Sequence, residues 1–152
     1  MITLRRITED NFSECVGLEV EENQKSFVAN NTYSLAQAWL YYENANPFAI
    51  YYNMEMVGFV MIDIDYNGGG AKGVCDLWRL MIDKRYQGKG YGKAAMQAVI
   101  EYAKKELNST QIRTSFVPGN TGAENLYKGL GFIPSGELDG DEIVMVLDVC
   151  LK

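Results

Sequence analysis

Residues 77–95 read Leu77-Trp78-Arg79-Leu80-Met81-Ile82-Asp83-Lys84-Arg85-Tyr86-Gln87-Gly88-Lys89-Gly90-Tyr91-Gly92-Lys93-Ala94-Ala95. A nearly apolar run passes a charged turn and meets glycines at positions 88, 90 and 92. It then enters a helical pattern, Ala94, Ala95, Met96, Ala98, Val99, Ile100, Tyr102 and Ala103. A strand feeding a glycine-rich turn at the mouth of a helix is an anion site. The first-turn amides have no intrahelical acceptor, and the helix dipole favours negative charge there. Glycines let a phosphate approach the backbone, and Lys89 and Lys93 add positive charge. The stretch reads as a pyrophosphate cradle.

Two familiar phosphate loops do not match it. A Walker loop needs Gly-x-x-x-x-Gly-Lys followed by Ser or Thr, whereas Lys93 is followed by Ala94 at a different spacing. A dinucleotide fingerprint needs Gly-x-Gly-x-x-Gly in an early βαβ unit, and here Gly-x-Gly-x-Gly follows three antiparallel-looking strands.

The remaining composition narrows the chemistry. At 152 residues the chain suits a single domain, 1–152, with its own core. It shows no apolar leader and no run near the roughly 20 apolar residues that span a bilayer, so a soluble, cytoplasmic protein with no membrane partner is expected. Cys15, Cys75 and Cys150 are odd in number and widely spaced, which suits reduced thiols; neither a disulfide frame nor a metal site is expected. A net charge of −6 argues against nucleic acid and suits a cationic substrate. The sequence contains no histidine. That excludes Ser-His-Asp and Cys-His machinery, leaving proton transfer to carboxylates, tyrosines, lysines, cysteines or water.

The other elements follow from periodicity and breakers. Ile2, Leu4 and Ile7 predict a strand, and Phe12, Cys15, Val16 and Leu18 a helix capped by Asp10 or Asn11. Residues 20–33 are polar and irregular. Ser34 and Gln37 form a capping-box pattern before a helix through Leu35, Ala38, Trp39 and Tyr42, ending near Asn44 to Pro47. Phe48–Tyr52 and Met56–Asp65 read as a hairpin about Asn53-Met54-Glu55, followed by a glycine loop at 67–70. After the central helix, which ends near Leu107, come a strand at Gln111–Val117 and a short helix at Ala123–Leu130. A closing hairpin, Gly131–Leu138 and Glu142–Leu151, turns at Asp139-Gly140-Asp141. The order β-α-α-β-β-β-α-β-α-β-β describes a mixed α/β sheet.

Gln87-Gly88-Lys89-Gly90-Tyr91-Gly92 resembles the Gln/Arg-x-x-Gly-x-Gly/Ala signature of the GNAT superfamily of acyl-CoA N-acetyltransferases. A second family block, Asn-x-x-Ala-x-x-Leu-Tyr-x-x-x-Gly-Phe, is matched by Asn120, Ala123, Leu126, Tyr127, Gly131 and Phe132. Within the superfamily the chain is similar to bacterial spermine/spermidine acetyltransferases in Glu22-Asn23-Gln24 before a helix, in residues 79–92, and in Gly136-Glu137-Leu138. It departs from them just before Arg79, where Trp78 stands in place of an acidic residue and Asp76 lies two positions earlier. The resemblance implies a central, mostly antiparallel sheet of six to seven strands with about four helices, acetyl-CoA as co-substrate, and often a homodimer.

The same resemblance implies roles for residues. The pyrophosphate of acetyl-CoA would sit on Gln87, Gly88, Lys89, Gly90, Tyr91, Gly92 and Lys93. The backbone of Leu80, Met81 and Ile82 would pair with the pantetheine like an added strand, supplying an oxyanion donor, and Asn120 would hold the pantetheine. Tyr127 would bind at the thioester and act as general acid for the departing thiolate, with a core tyrosine as the alternative. Asp76 is the candidate base or amine anchor; in a regular strand it shares a face with Trp78 and Leu80, and a bulge would reverse that parity. A solvent-facing carboxylate, or a water serving a more distant one, is equally open. Cys75 falls on the opposite face, which suits packing. Glu19, Glu21, Glu22, Asp63 and Asp65 form a candidate anionic path for ammonium groups, with Tyr33, Trp39 or Tyr42 as cation–π faces. The favoured acceptor is a polyamine. Another amine (a protein N-terminus, amino sugar or antibiotic) and a non-catalytic acyl-CoA-binding regulatory module remain alternatives.

Overall fold

The computed structural model describes residues 1–64 and 73–149; the predicted glycine loop at 67–70, Asp65 and Cys150 lie outside them. The elements are β1 (Ile2–Arg6), α1 (Phe12–Gly17), a 3-10 turn (Glu22–Gln24), α2 (Asn31–Leu40), β2 (Ala45–Tyr52), β3 (Glu55–Asp63) and β4 (Val74–Ile82). They continue with a second 3-10 turn (Lys84–Tyr86), α3 (Tyr91–Lys105), β5 (Gln111–Phe116), α4 (Thr121–Gly129), β6 (Ile133–Asp139) and β7 (Glu142–Asp148). One seven-stranded sheet has the order β1-β2-β3-β4-β5-β7-β6. Every neighbouring pair is antiparallel except β4 and β5. The mixed sheet with four α-helices is the expected architecture.

β3 is buried from Met56 to Ile62 on both faces, which is why it reads as a continuous apolar run with no alternation. On one face α3 lays a stripe of Ala95, Met96, Val99 and Ala103 against Val60, Ile62, Leu77 and Ile112. On the other, Cys15 and Leu18 at α1 and Ala38 of α2 pack with Phe59, Met61 and Met81. Each large side chain so buried contributes about 1.5–3 kcal/mol. Where β3 meets β4 the backbones crowd, and a Cβ on Gly58 would run into the Met81 carbonyl oxygen.

Helix α2 departs from the sequence expectation. Its N-cap is Asn30, whose Oδ1 accepts the Tyr33 amide at 2.7 Å. Ser34 lies buried on the helix and caps nothing. The reason is tertiary: Asn31 is buried and donates through Nδ2 to the Cys15 carbonyl at 2.8 Å, which docks the first turn on α1. A capping box does form, earlier, between Glu21 and Gln24. The helix ends at Leu40, and Asn46 and Pro47 are already paired with Ile62 and Met61 in the sheet.

Two irregularities in β4 shape the molecule. Met61 pairs with Arg79 but Ile62 pairs with Leu77, so Trp78 is an extra residue, a β-bulge. The parallel pairing of β4 with β5 covers only Val74 to Asp76, opposite Gln111 to Arg113. Beyond Asp76 the strands part, and among the described residues the Leu77–Ile82 edge has no strand partner on that side.

Candidate active site

The gap between the parted strands opens into a cleft of about 840 Å³, within the range of small-molecule sites. One wall is residues 76–82 of β4; the other is Thr114 to Val117 with Asn120, Ala123, Leu126 and Tyr127 at and on α4. Gln87, Gly88 and residues 90–92 line one end, and the segment 24–29 borders the same space.

The glycine end is a turn at the mouth of a helix, as its sequence pattern predicts. Gly90 is the N-cap of α3 at φ 84, a left-handed conformation that glycine takes without a Cβ penalty. The first helical bond runs from the Ala94 amide to the Gly90 carbonyl at 3.1 Å, so the amides ahead of it have no acceptor within the helix. A Cβ at Gly88 or Gly90 would meet no protein atom within 4 Å. The turn is open to a ligand. Lys89 and Lys93, however, do not line the cleft. The Gln87 side chain is also committed elsewhere: Nε2 donates to the Ile82 carbonyl at 2.9 Å and to Gln24 Oε1 at 2.9 Å.

The bulge resolves the orientation of Asp76. Cys75 and Leu77 point into the α3 core, and beyond the bulge so do Leu80 and Ile82. Trp78 and Met81 face the other core. Asp76 therefore shares a face with Trp78 as expected but lies opposite Leu80, because the extra residue inverts the alternation. Cys75 is indeed on the opposite face from Asp76, buried as packing.

Asp76 stands between Asp63 on β3 and Arg113 on β5 in the sheet register. Its pKa is pushed up to about 7. Burial is the main cause; Arg113 opposes it, while Asp63, Asp139 and Glu142 add to it. Asp63, Asp76, Asp139 and Glu142 all line the cleft. Glu142 accepts the Ser115 hydroxyl at 3.1 Å, and Arg113 pairs with Glu137 at 3.2 Å. Tyr127 is 6% exposed and also lines the cleft. Burial raises its phenol pKa, a hydrogen bond with Thr114 counters, and the charges of Asp76 and Glu142 raise it further. The phenol thus keeps its proton at neutral pH. Asn120 caps α4, its Oδ1 accepting the Ala123 amide at 3.2 Å.

Other candidates fall outside the cleft. Glu19 pairs with Lys84 and Lys25, and Glu22 with Lys25; none of Glu19, Glu21 and Glu22 lines it. Tyr33, Trp39 and Tyr42 are exposed on and just beyond α2, and none of them lines it. Trp78 does line it, flanked by the Tyr41 ring at 6.0 Å and the Arg79 guanidinium at 5.3 Å. Sequence reasoning missed Asp139 and Glu142. They arrive because β7 inserts beside β5, pairing Ile143 with Phe116, and the acidic Asp139-Gly140-Asp141-Glu142 tip was the only local hint. Among the described residues no cluster of ligating side chains could hold a metal, and no helix is long and apolar enough to cross a membrane.

A sheet that parts beside a glycine turn opening a helix is a ligand-binding architecture, and the chain belongs to the acetyltransferase (GNAT) family, whose model matches residues 5–132. It is an acetyltransferase. It is 34% identical over 153 residues to spermine/spermidine N(1)-acetyltransferase of Bacillus subtilis (strain 168), covering 97% of this chain and 99% of that one. The fold is similar to that of spermidine N-acetyltransferase from Vibrio cholerae in complex with CoA and spermine, with TM-score 0.74, 19% identity and coverage of 97% and 95% of the two chains. It is also similar to aminoglycoside acetyltransferase AAC(6')-Ib in complex with coenzyme A, with TM-score 0.79, 20% identity and the same coverage. At such identities these likenesses concern the fold alone.

Proposed function

We propose that the protein transfers the acetyl group of acetyl-CoA to a primary amine of a polyamine, spermidine or spermine. The observation that carries this reading is the order of chemistry along one cleft. Open amides at the mouth of α3 suit a diphosphate at one end, and Asp63, Asp76, Asp139 and Glu142 suit ammonium groups. The phenol of Tyr127 lies within electrostatic reach of Asp76 and Glu142. The 34% identical relative supports the polyamine, and the CoA complexes of the fold neighbours support the donor.

The residues suit direct transfer. Asp76, with a pKa of about 7, is ionised in useful amount at neutral pH and basic enough to take a proton from an ammonium or from the attacking amine. The amine nitrogen then attacks the thioester carbon, and an amide in the free Leu80–Ile82 edge stabilises the oxyanion. As the C–S bond breaks, Tyr127 gives its proton to the thiolate. A phenol above its ordinary pKa of about 10 is a weaker acid than a thiol near 8.5, so its contribution comes from position.

The test is an amine panel with CoA release as readout. One additional ammonium–carboxylate contact worth about 1.4 kcal/mol gives spermidine a tenfold higher kcat/KM than butylamine. Equal turnover of the two defeats the polyamine assignment. Failure to bind CoA at all defeats the donor site.

A further inference from the structure

The two segments that border the cleft at its glycine end are joined across the chain. Glu19 donates its amide to Asp83 Oδ2 at 3.0 Å, and Lys84 returns one to the Glu19 carbonyl at 2.9 Å. Asp83 is buried, and its carboxylate is held below the usual range because hydrogen bonds from Arg85 and Glu19 outweigh the upward push of burial. A second junction stands five residues further on in the first segment and four in the second. Gln24 Nε2 donates to Gln87 Oε1 at 3.1 Å while Gln87 Nε2 donates to Gln24 Oε1 at 2.9 Å. The pair is a closed amide clasp. Gln24 Oε1 also accepts the Glu21 amide at 3.0 Å, and the Gln24 carbonyl accepts the Phe27 amide at 2.9 Å.

We infer that Gln24 is a positioning residue for this active site. Through Gln87 it sets the distance between the glycine turn and the 25–29 segment, so that the turn and this wall of the cleft are held as one frame. The inference rests on the donor and acceptor assignments above. Its basis is connectivity: Gln87 immediately precedes Gly88 of the turn, and Gln24 immediately precedes the five residues that border the cleft. The Asp83 junction holds the segment at Glu19 whatever stands at position 24, so the clasp governs placement while folding relies on the first junction. Gln87 also keeps its bond to the Ile82 carbonyl without Gln24.

The experiment compares wild type with Gln24→Leu, Gln24→Glu, Gln87→Leu and the Gln24/Gln87 double variant. Melting temperature, the Kd of CoA by calorimetry, and the KM values and kcat with spermidine are read for each. Loss of the two clasp hydrogen bonds, together with that from the Glu21 amide, predicts that Gln24→Leu weakens CoA binding and raises the spermidine KM by about tenfold each, with kcat within about threefold and the melting temperature within a few degrees. Gln24→Glu keeps the acceptor oxygens for Glu21 and Gln87 and is expected to lose less; it carries the test if the leucine variant does not fold. The double variant is expected to be no worse than the worse single one. Unchanged Kd and KM in Gln24→Leu, or strictly additive losses in the double variant, overturn the clasp. Wild type that binds no CoA instead removes the donor assignment beneath it.

Discussion

Asp76→Asn separates what the carboxylate does for the reaction from what it does to the fold. In the native protein its pKa rises from the ordinary 3.8 to about 7, chiefly by burial, with Asp63, Asp139 and Glu142 adding repulsion against the pull of Arg113. At 1.36 kcal/mol per pH unit that rise corresponds to about 4 kcal/mol against the ionised form. The native state therefore binds this proton more tightly than the unfolded chain. Below about pH 4 both states are protonated and the group costs nothing. Stability is lost as pH climbs from about 4 to 7, and the full cost is present above that window. Asparagine is close in shape and never ionises. The variant should match wild type near pH 4 and exceed it at pH 8 by up to about 4 kcal/mol, or about 10 °C in Tm at roughly 3 °C per kcal/mol for a chain of this size. Urea unfolding from pH 4 to 9 reads the difference. Over the same range the variant should lose about 10²–10⁴ in kcat, together with the acidic limb near pH 7 in kcat/KM. A variant no more stable than wild type at pH 8, or a difference that is flat with pH, would refute the half-buried, repelled carboxylate.

Three further outcomes are expected. Under the proposed role of its phenol as proton donor to the departing sulfur, Tyr127→Phe should lower kcat by about 10²–10⁴ and leave the CoA Kd within about twofold; calorimetry beside CoA-release kinetics checks both. Gly90→Val forces a β-branched residue to φ 84 at the mouth of α3, so the acetyl-CoA KM should rise far more than the spermidine KM, and an unchanged cofactor KM would count against the cradle. Gly58→Ala drives a methyl into the Met81 carbonyl oxygen between β3 and β4. It should cost about 3 kcal/mol in urea unfolding, since backbone cannot step aside as a flexible side chain does.

Much of this molecule can be read from local pattern, and the exceptions have physical causes. The glycines at 88, 90 and 92 before an apolar helical stripe announce α3 and its open mouth, since helix-start chemistry is local. The uninterrupted apolar run of β3 already signals a strand covered on both faces. The start of α2 did not show, because Asn31 reaches the Cys15 carbonyl sixteen residues back, and only a docked helix makes that bond. The Gln24–Gln87 clasp spans 63 residues and belongs to the same category.

By itself, then, the sequence determined the kind of chemistry available: no imidazole, a glycine turn opening a helix, a tyrosine after an Asn-x-x-Ala block, and a surplus of carboxylates. Tertiary structure alone decided which carboxylates meet in the cleft. The bulge at Trp78 placed Asp76 opposite Leu80, the parting of β4 from β5 after Asp76 opened the cleft, and the insertion of β7 beside β5 brought in Glu142 and Asp139. Glu19 and Glu22, equally acidic in the sequence, were taken up by Lys84 and Lys25 outside it. A charge acquires a role from the desolvation and the neighbours that the fold assembles around it, and those come from strands distant along the chain.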